Sequence, residues 1–484
     1  MVLLTGATGY IGGRLLKHLE ARAVPTRCLC RHPEALSGRL ARETEIVRGD
    51  LLDPASLPAA FQGVDTAFYL VHAMRSGPEF EQRERQAALN FARAAREAGV
   101  QRIIFLGGLA HGEDLSPHMR SRMATGNILR SSGVPVVELR ASIVIGAGSA
   151  SFELIRALVE RLPAMITPKW VHTAAQPIAI ADVVEYLAEA IRVPAGAGLT
   201  IEIGGAEITS YLGIMREYAR QRNLRRRFFA VPFLSPTLSS RWLTLVTPIY
   251  APIGRRLIES VRTPSVVVDP EASRIFQVRP VGLRRAIEQA LATEVPETRW
   301  SDAGWLGVGA RDAEPGPDVL SNVQEVSLPL SPAEAFAPVR RIGGRTGWYF
   351  GNFLWRIRGL IDLLLGGVGM RRGRPDPETP RPGSTLDFWR VQIYEPDHRL
   401  RLLAEMRIPG RAWLEFRAEP EGQSTRLRQT AYFEPSGPGG LLYWYLLWPI
   451  HEIMFRGILR SIAGAAMRSA PKASTADARR RVTV

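Results

Sequence analysis

The sequence predicts an α/β protein: a doubly wound parallel sheet, followed by an α+β domain built on an antiparallel sheet. Three observations carry this expectation. Over residues 2–140, short β-rich runs alternate with helical patterns, the signature of successive βαβ units. A glycine-rich turn, TGATGYIGG, joins the first strand to the first helix. Beyond residue 322 the order changes to a helix, several strands separated by turn residues, and a long closing helix, which describes an antiparallel meander.

The first strands are expected at 2–5, 26–30, 44–48, 66–71, 102–107 and 135–139, with helices at 11–22, 80–98 and 118–132. Right-handed crossovers gather such strands into one sheet covered on both faces. Residues 141–295 remain mixed, with helices at 151–161, 181–192 and 211–222 and a strand at 199–204. The stretch 310–322 is rich in Pro, Gly and Asp and reads as linker. Meander strands follow at 384–395, 400–408, 412–420 and 424–435, and an aromatic helix closes the domain over 439–467. The expected organisation is a domain at 1–295, a linker at 296–322, a second domain at 323–467 and a basic, disordered tail at 468–484.

Composition narrows the function classes. With 484 residues, 46% of them hydrophobic and 23% charged, the chain can bury large cores, which excludes wholesale disorder. The net charge of +15 attracts nucleotides, nucleic acid and acidic lipid alike. No nucleic-acid-binding motif accompanies it, so no nucleic acid partner is expected. Only Cys28 and Cys30 are present, which excludes a disulfide framework and a thiolate zinc site. They share one face of their strand and read as small core residues. The eight histidines show no compact ligand spacing, and no metal is expected. Without a secretory leader or an apolar run long enough to span a bilayer, the expected location is the cytoplasm. Two short apolar stretches between arginines, 241–256 and 355–374, suit peripheral attachment to the inner face of an anionic membrane; the alternative is buried elements with solvated flanks.

The turn carries the chemistry. Gly6 permits the tight bend, Gly9 lets the backbone approach a pyrophosphate, and Gly12 allows close helix–strand packing. Thr8, Tyr10 and Ile11 complete the turn as candidate cofactor contacts, and the helix N-terminus offers N–H groups and partial positive charge to phosphates. The Gly6-x-x-Gly9-x-x-Gly12 spacing and the TGATG run resemble the extended and atypical short-chain dehydrogenases, which implies a Rossmann fold. The second strand ends in Cys30-Arg31-His32-Pro33 without a carboxylate. An acidic residue there would suit NAD(H); Arg31 suits the 2′-phosphate of NADP(H). The resemblance also implies that Asp50 and Leu51 face the adenine and that His72 lines the nicotinamide pocket, although a half-buried strand-end histidine reads equally well.

Members of that superfamily carry Tyr-x-x-x-Lys after the fifth strand and a Ser at its end. On the matching positions this chain has His118, Arg122, and Gly107 with Gly108. His118 is therefore the candidate proton donor, and Arg122 a candidate holder of a phosphate, a ribose hydroxyl or a developing oxyanion; both are alternatively structural. The segments 138–163, 176–187 and 201–211 resemble the NmrA-like group. The second domain resembles the helix-grip (START-like, polyketide-cyclase-like) architecture, with Trp444, Trp448 and Phe455 along one face of its closing helix. Together these imply an NADPH-linked oxidoreductase acting on a lipophilic carbonyl or quinone-type molecule, or, as the alternative, a non-catalytic NADP(H)-binding sensor or assembly factor.

Overall fold

The computed structural model describes residues 1–31, 33, 36, 40, 43–72, 80–112, 115–194, 196, 198–231, 263–293, 319–365, 367, 369–372, 374, 379–380, 382 and 384–469. The chain divides into two compact units, residues 1–306 and 307–484.

The first unit is built on seven strands: β1 (Val2–Thr5), β2 (Thr26–Cys30), β3 (Glu45–Arg48), β4 (Thr66–Tyr69), β5 (Arg102–Gly108), β6 (Val136–Ala141) and β7 (Leu199–Ile203). All are parallel, in the order β7-β6-β5-β4-β1-β2-β3. The order reverses at β1, so the carboxyl ends of β1, β2 and β4 open onto one crevice, the place where such sheets bind ligands. The main helices are α1 (Tyr10–Ala21), α2 (Phe80–Glu97), α3 (Pro117–Arg130), α4 (Ala150–Arg161), α5 (Ile180–Glu189), α6 (Tyr211–Gln221) and α7 (Leu283–Ala292).

Period-2 alternation sends each strand's side chains to two buried faces. Leu4, Cys28, Phe68, Ile104 and Leu139 pack with Leu15 and Leu19 of α1 and Val183 of α5. Leu3, Leu29, Ala67, Ile103 and Val136 pack with Ala88 and Phe91 of α2. Burial on both faces accounts for the continuous apolar runs. Burial likewise pushes the Cys28 thiol up to about 12, as expected of a core residue rather than a redox thiol. A third core joins Phe152 of α4, Tyr218 of α6 and Ile287 of α7.

The second unit holds six antiparallel strands: β8 (Leu320–Leu328), β9 (Thr385–Leu386), β10 (Trp389–Glu395), β11 (Arg399–Ala404), β12 (Gly410–Glu421) and β13 (Ser424–Pro435), in the order β8-β13-β12-β11-β10-β9. Helices α8 (Pro332–Arg340) and α9 (Asn352–Leu364) precede the meander, and α10 (Gly437–Ser469) follows it. Phe336 and Val339 of α8 and Ile458, Leu459 and Ile462 of α10 are buried with Leu414, Phe416 and Leu427 of the sheet. Trp444 stacks on Phe433 with ring centroids 5.5 Å apart.

Three expectations are corrected here. The unit opens with a strand, not a helix, and β8 begins inside the stretch read as linker. Leu320, Val326 and Leu328 lie on its more buried face, but the buried Asn322 and the exposed Val323 interrupt the apolar alternation. The expected strand 384–395 is split by Asp387, which adopts a positive φ of 54° and accepts hydrogen bonds from Trp348 Nε1 (2.8 Å) and the Gly344 amide (3.2 Å). Helix α10 continues to Ser469, two residues into the stretch read as tail. Residues 241–256, His32 and the remainder of the tail lie outside the described residues. Among the described residues no helix is long and apolar enough to cross a membrane.

Candidate functional site

The turn after β1 is a glycine-built cradle. Gly6 holds φ at +76°, and a Cβ there would lie 2.8 Å from the Leu70 carbonyl oxygen. A Cβ on Gly12 would lie 2.2 Å from the Gly6 carbonyl oxygen, and one on Gly9 3.0 Å from it. A side chain on Gly12 would force α1 off the turn, and one on Gly9 would narrow the concavity. Helix α1 starts at Gly9 with no side-chain cap and no acidic residue in its first turn. The amides that open it are thus left to an anion. Thr8 and Ile11 are partly exposed beside them. Tyr10 contributes its backbone: its ring lies under the Arg14 guanidinium at 4.0 Å, and burial raises its hydroxyl, which has no hydrogen-bond partner.

The flanking strands place the other expected contacts on this edge. Thr5 pairs in register with Leu29, so Arg31 follows the end of β2 beside the turn, exposed to solvent. After β3, Asp50 and Leu51 are clamped from both sides. The Asp50 amide donates to Ser56 Oγ (2.9 Å), and Asn90 Nδ2 of α2 donates to the Leu51 carbonyl (2.7 Å). The Asp50 carboxylate accepts from the Leu52 amide at 3.0 Å.

His72 follows β4, and His118 stands in the first turn of α3. The structure brings them together: their Nε2 atoms are 2.8 Å apart and their ring centroids 4.8 Å. His72 Nδ1 bonds the Glu84 carboxylate of α2, whose other oxygen accepts from Ser121 Oγ. Burial alone would raise the Glu84 carboxyl. The hydrogen bond and charge of His72, the charge of Arg122 and the Ser121 hydroxyl outweigh it and hold Glu84 well below the usual carboxylate range. An ionised carboxylate can only accept, so His72 Nδ1 carries a proton and its Nε2 is turned toward His118. Sequence reasoning missed Glu84. Its signal was a charge on the apolar stripe of α2, one turn before Ala87, Ala88 and Phe91, all buried.

Arg122 is placed beneath this network. Its guanidinium donates to the carbonyls of Leu106 and, at 3.4 Å, Val71 and lies 4.7 Å from the Phe105 ring centroid. Burial lowers its pKa, partly countered by Glu84. At the end of β5, a Cβ on Gly108 would lie 2.7 Å from Met119 Cε. The methionine therefore fills the space a serine side chain would need.

Comparison with known proteins agrees with this geometry. Residues 6–143 match a family described as NAD(P)H-binding, and residues 318–458 match a family described as protein of unknown function (DUF2867). An NAD(P)H azoreductase of Xenophilus azovorans is 32% identical over 114 residues, which are 24% of this chain and 37% of that protein. The chain thus spans little more than a third of that relative's length. A ceramide reductase of Caulobacter vibrioides is 25% identical over 276 residues, 55% of this chain and 86% of that protein. The crystal structure of a Citrobacter sp. triphenylmethane reductase complexed with NADP(H) superposes with a TM-score of 0.50 at 20% identity, covering 60% of this chain and 99% of that one. Residues 6–143 therefore form a Rossmann domain matching the NAD(P)H-binding family, and residues 318–458 match the DUF2867 family.

Proposed function

We propose that this chain is an NADPH-dependent reductase of a lipophilic carbonyl or quinone-type compound, with the His72–His118 pair as its proton source. The observation that carries the reading is the hydrogen-bonded chain from the buried Glu84 through the half-buried His72 to the half-buried His118. Gly6, Gly9 and Gly12, with the amides of Thr8, Tyr10 and Ile11, would hold the pyrophosphate. Arg31 would take the 2′-phosphate, and Asp50 with Leu51 would flank the adenine. When bound, the cofactor supplies a hydride to the carbonyl carbon. The protein's part is the proton for the oxygen. Glu84 fixes the tautomer of His72 and stabilises positive charge on the pair. The 2.8 Å contact then lets one proton be shared between the two Nε2 atoms until the pair gives it up. Arg122 acts as a positioning residue, fixing the ends of β4 and β5 through their carbonyls.

Reductases among the relatives support this reading, including one whose name specifies a lipid, ceramide. In the second domain, the helix lying across one face of the sheet supports a helix-grip architecture. Gln429 on that sheet is fully buried, and neither of its amide atoms has a hydrogen-bond partner among the described residues. The polar group of a lipophilic ligand would satisfy it. The second reading, a non-catalytic NADP(H)-binding sensor, is favoured by Met119 filling the serine site.

The test is NADPH oxidation by the full chain over a panel of apolar carbonyls and quinones, comparing the wild type with His118→Ala. A loss of roughly 10²-fold or more in kcat with unchanged NADPH affinity is expected for a lost proton donor. NADPH binding with no turnover in the wild type on any compound would leave the sensor reading.

A further inference from the structure

We infer that α9 and the first half of α10 form a docking face for an anionic lipid bilayer. This goes beyond the reductase reading and does not depend on it. Along α9, Phe353, Ile357, Leu360, Ile361 and Leu364 are exposed, an i, i+4, i+7, i+8, i+11 stripe on a single helical face. Leu364 is 68% exposed. Along α10, Leu441, Leu442, Tyr445, Leu446, Ile450 and Ile453 are exposed in the same way, with Leu446 at 72% and Trp448 at the margin. Ordinary surfaces scatter such residues singly; a contiguous set marks an interaction site.

The residues that lead into α9 lie on α10, Met454 against Gly351 and the Phe350 ring against Gly457. Phe353 and Ile453, one from each stripe, stand within three residues of these contacts in the chain.

The occupant follows from the charges. Each segment contains one acidic residue, and neither projects from the face. Asp362 is fully buried and accepts from the Gly369 amide (2.8 Å) and the Arg407 amide (2.6 Å). Glu452 is turned to Asn322 and Gln324 of β8 and to Arg456. Arg356, Arg407 and Arg460 are exposed, and none pairs with a carboxylate among the described residues. A second copy would bring arginine rim against arginine rim. A bilayer with anionic headgroups takes apolar side chains below the headgroups and arginines at them, with Tyr445 and Trp448 at the boundary. No helix described here can span, so the attachment is interfacial.

Flotation of the full chain with liposomes tests this, using neutral phosphatidylcholine vesicles against vesicles with about 30% anionic lipid. Binding to the anionic vesicles is expected, weakened by high salt and reduced more than about tenfold in the double variant Leu360→Glu/Leu446→Glu. Both positions are already solvated, so the variant should keep the wild-type circular dichroism and Tm. Absence of flotation, flotation unaffected by the double variant, or a dimer dissociated by it would each overturn the inference. NADPH binding is read in parallel. Loss of vesicle binding with cofactor binding intact separates failure of this face from failure of the reductase reading.

Discussion

His72 and His118 face each other Nε2 to Nε2 at 2.8 Å, although 45 residues separate them in the chain. One follows a strand and the other opens a helix. They meet because β4 and β5 are neighbours in register and α3 packs back over β5, its Arg122 reaching the Val71 carbonyl just after β4.

Glu84 is the anchor of that pair. Replacing it with Gln keeps the shape but removes the charge that favours a protonated imidazole. Turnover is expected to fall roughly 10- to 100-fold, in line with other lost orienting partners. Unfolding free energy at pH 7 should drop by about 2–3 kcal/mol, because a buried hydrogen-bonded charge is lost. The folded-state carboxyl titrates below its unfolded value. Its contribution is therefore complete above the ordinary carboxylate range and is lost as pH falls through the folded value. Denaturant titrations from neutral to acid pH should show a flatter acid limb in Glu84→Gln.

On the proposed reading, Arg31 would set the cofactor choice. A guanidinium on a 2′-phosphate contributes roughly 1.5–3 kcal/mol. Arg31→Ala should weaken NADPH binding roughly 10- to 100-fold and leave NADH binding nearly unchanged. Calorimetric titration of both cofactors checks this, and equal losses for the two would reassign the residue.

The turn glycines should respond unequally. A Cβ on Gly12 meets a backbone carbonyl at 2.2 Å, which cannot yield without moving the turn, whereas one on Gly9 meets it at 3.0 Å. Gly12→Ala is expected to cost ~3 kcal/mol or more and to abolish NADPH binding. Gly9→Ala should fold with nearly wild-type Tm and still bind NADPH at least tenfold more weakly, because its methyl faces the phosphates. Thermal melts with and without NADPH separate the two effects.

The second domain carries its own acid sensitivity. Burial, helped by the charge of Arg358, lowers His451 to about 4, and its Nδ1 has no hydrogen-bond partner among the described residues. Between pH about 4 and 6.5 the unfolded chain is protonated at this position and the folded one is not. Stability therefore falls as pH drops through that window, by up to a few kcal/mol in total. His451→Gln should remove this slope, measured as unfolding free energy against pH. An unchanged slope would place the acid sensitivity elsewhere.

Much of the nucleotide-binding half was legible because its signals are local. The glycine spacing, the apolar strand runs and the arginine after β2 are all read within a few residues. Strands β1 and β2 end where their patterns end. What stayed hidden depends on packing between distant segments. Glu84 looks like one more charge on a charged helix until α2 is set against the loop after β4. The bond between the two histidines needs three elements to be assembled. Strand β8 was missed because Asn322 and Gln324 stand on its more buried face while Val323 is exposed, which interrupts the apolar alternation. The apolar stretch of α9 was visible, but its exposure was not, because burial is a property of neighbours.

The contact between Gly6 and Leu70 has a thermodynamic consequence. The phosphate turn and the segment leading to His72 touch backbone to backbone, and only the missing Cβ permits it. Two ligands then share one rigid joint: an anion at the turn and a proton on the imidazole pair. Binding free energies linked through a common element are reciprocal. Whatever factor an anion on the turn adds to the proton affinity of the histidines, the proton returns to the affinity for the anion. On the proposed reading, acidity of the medium and retention of nucleotide would then be two readings of a single coupling.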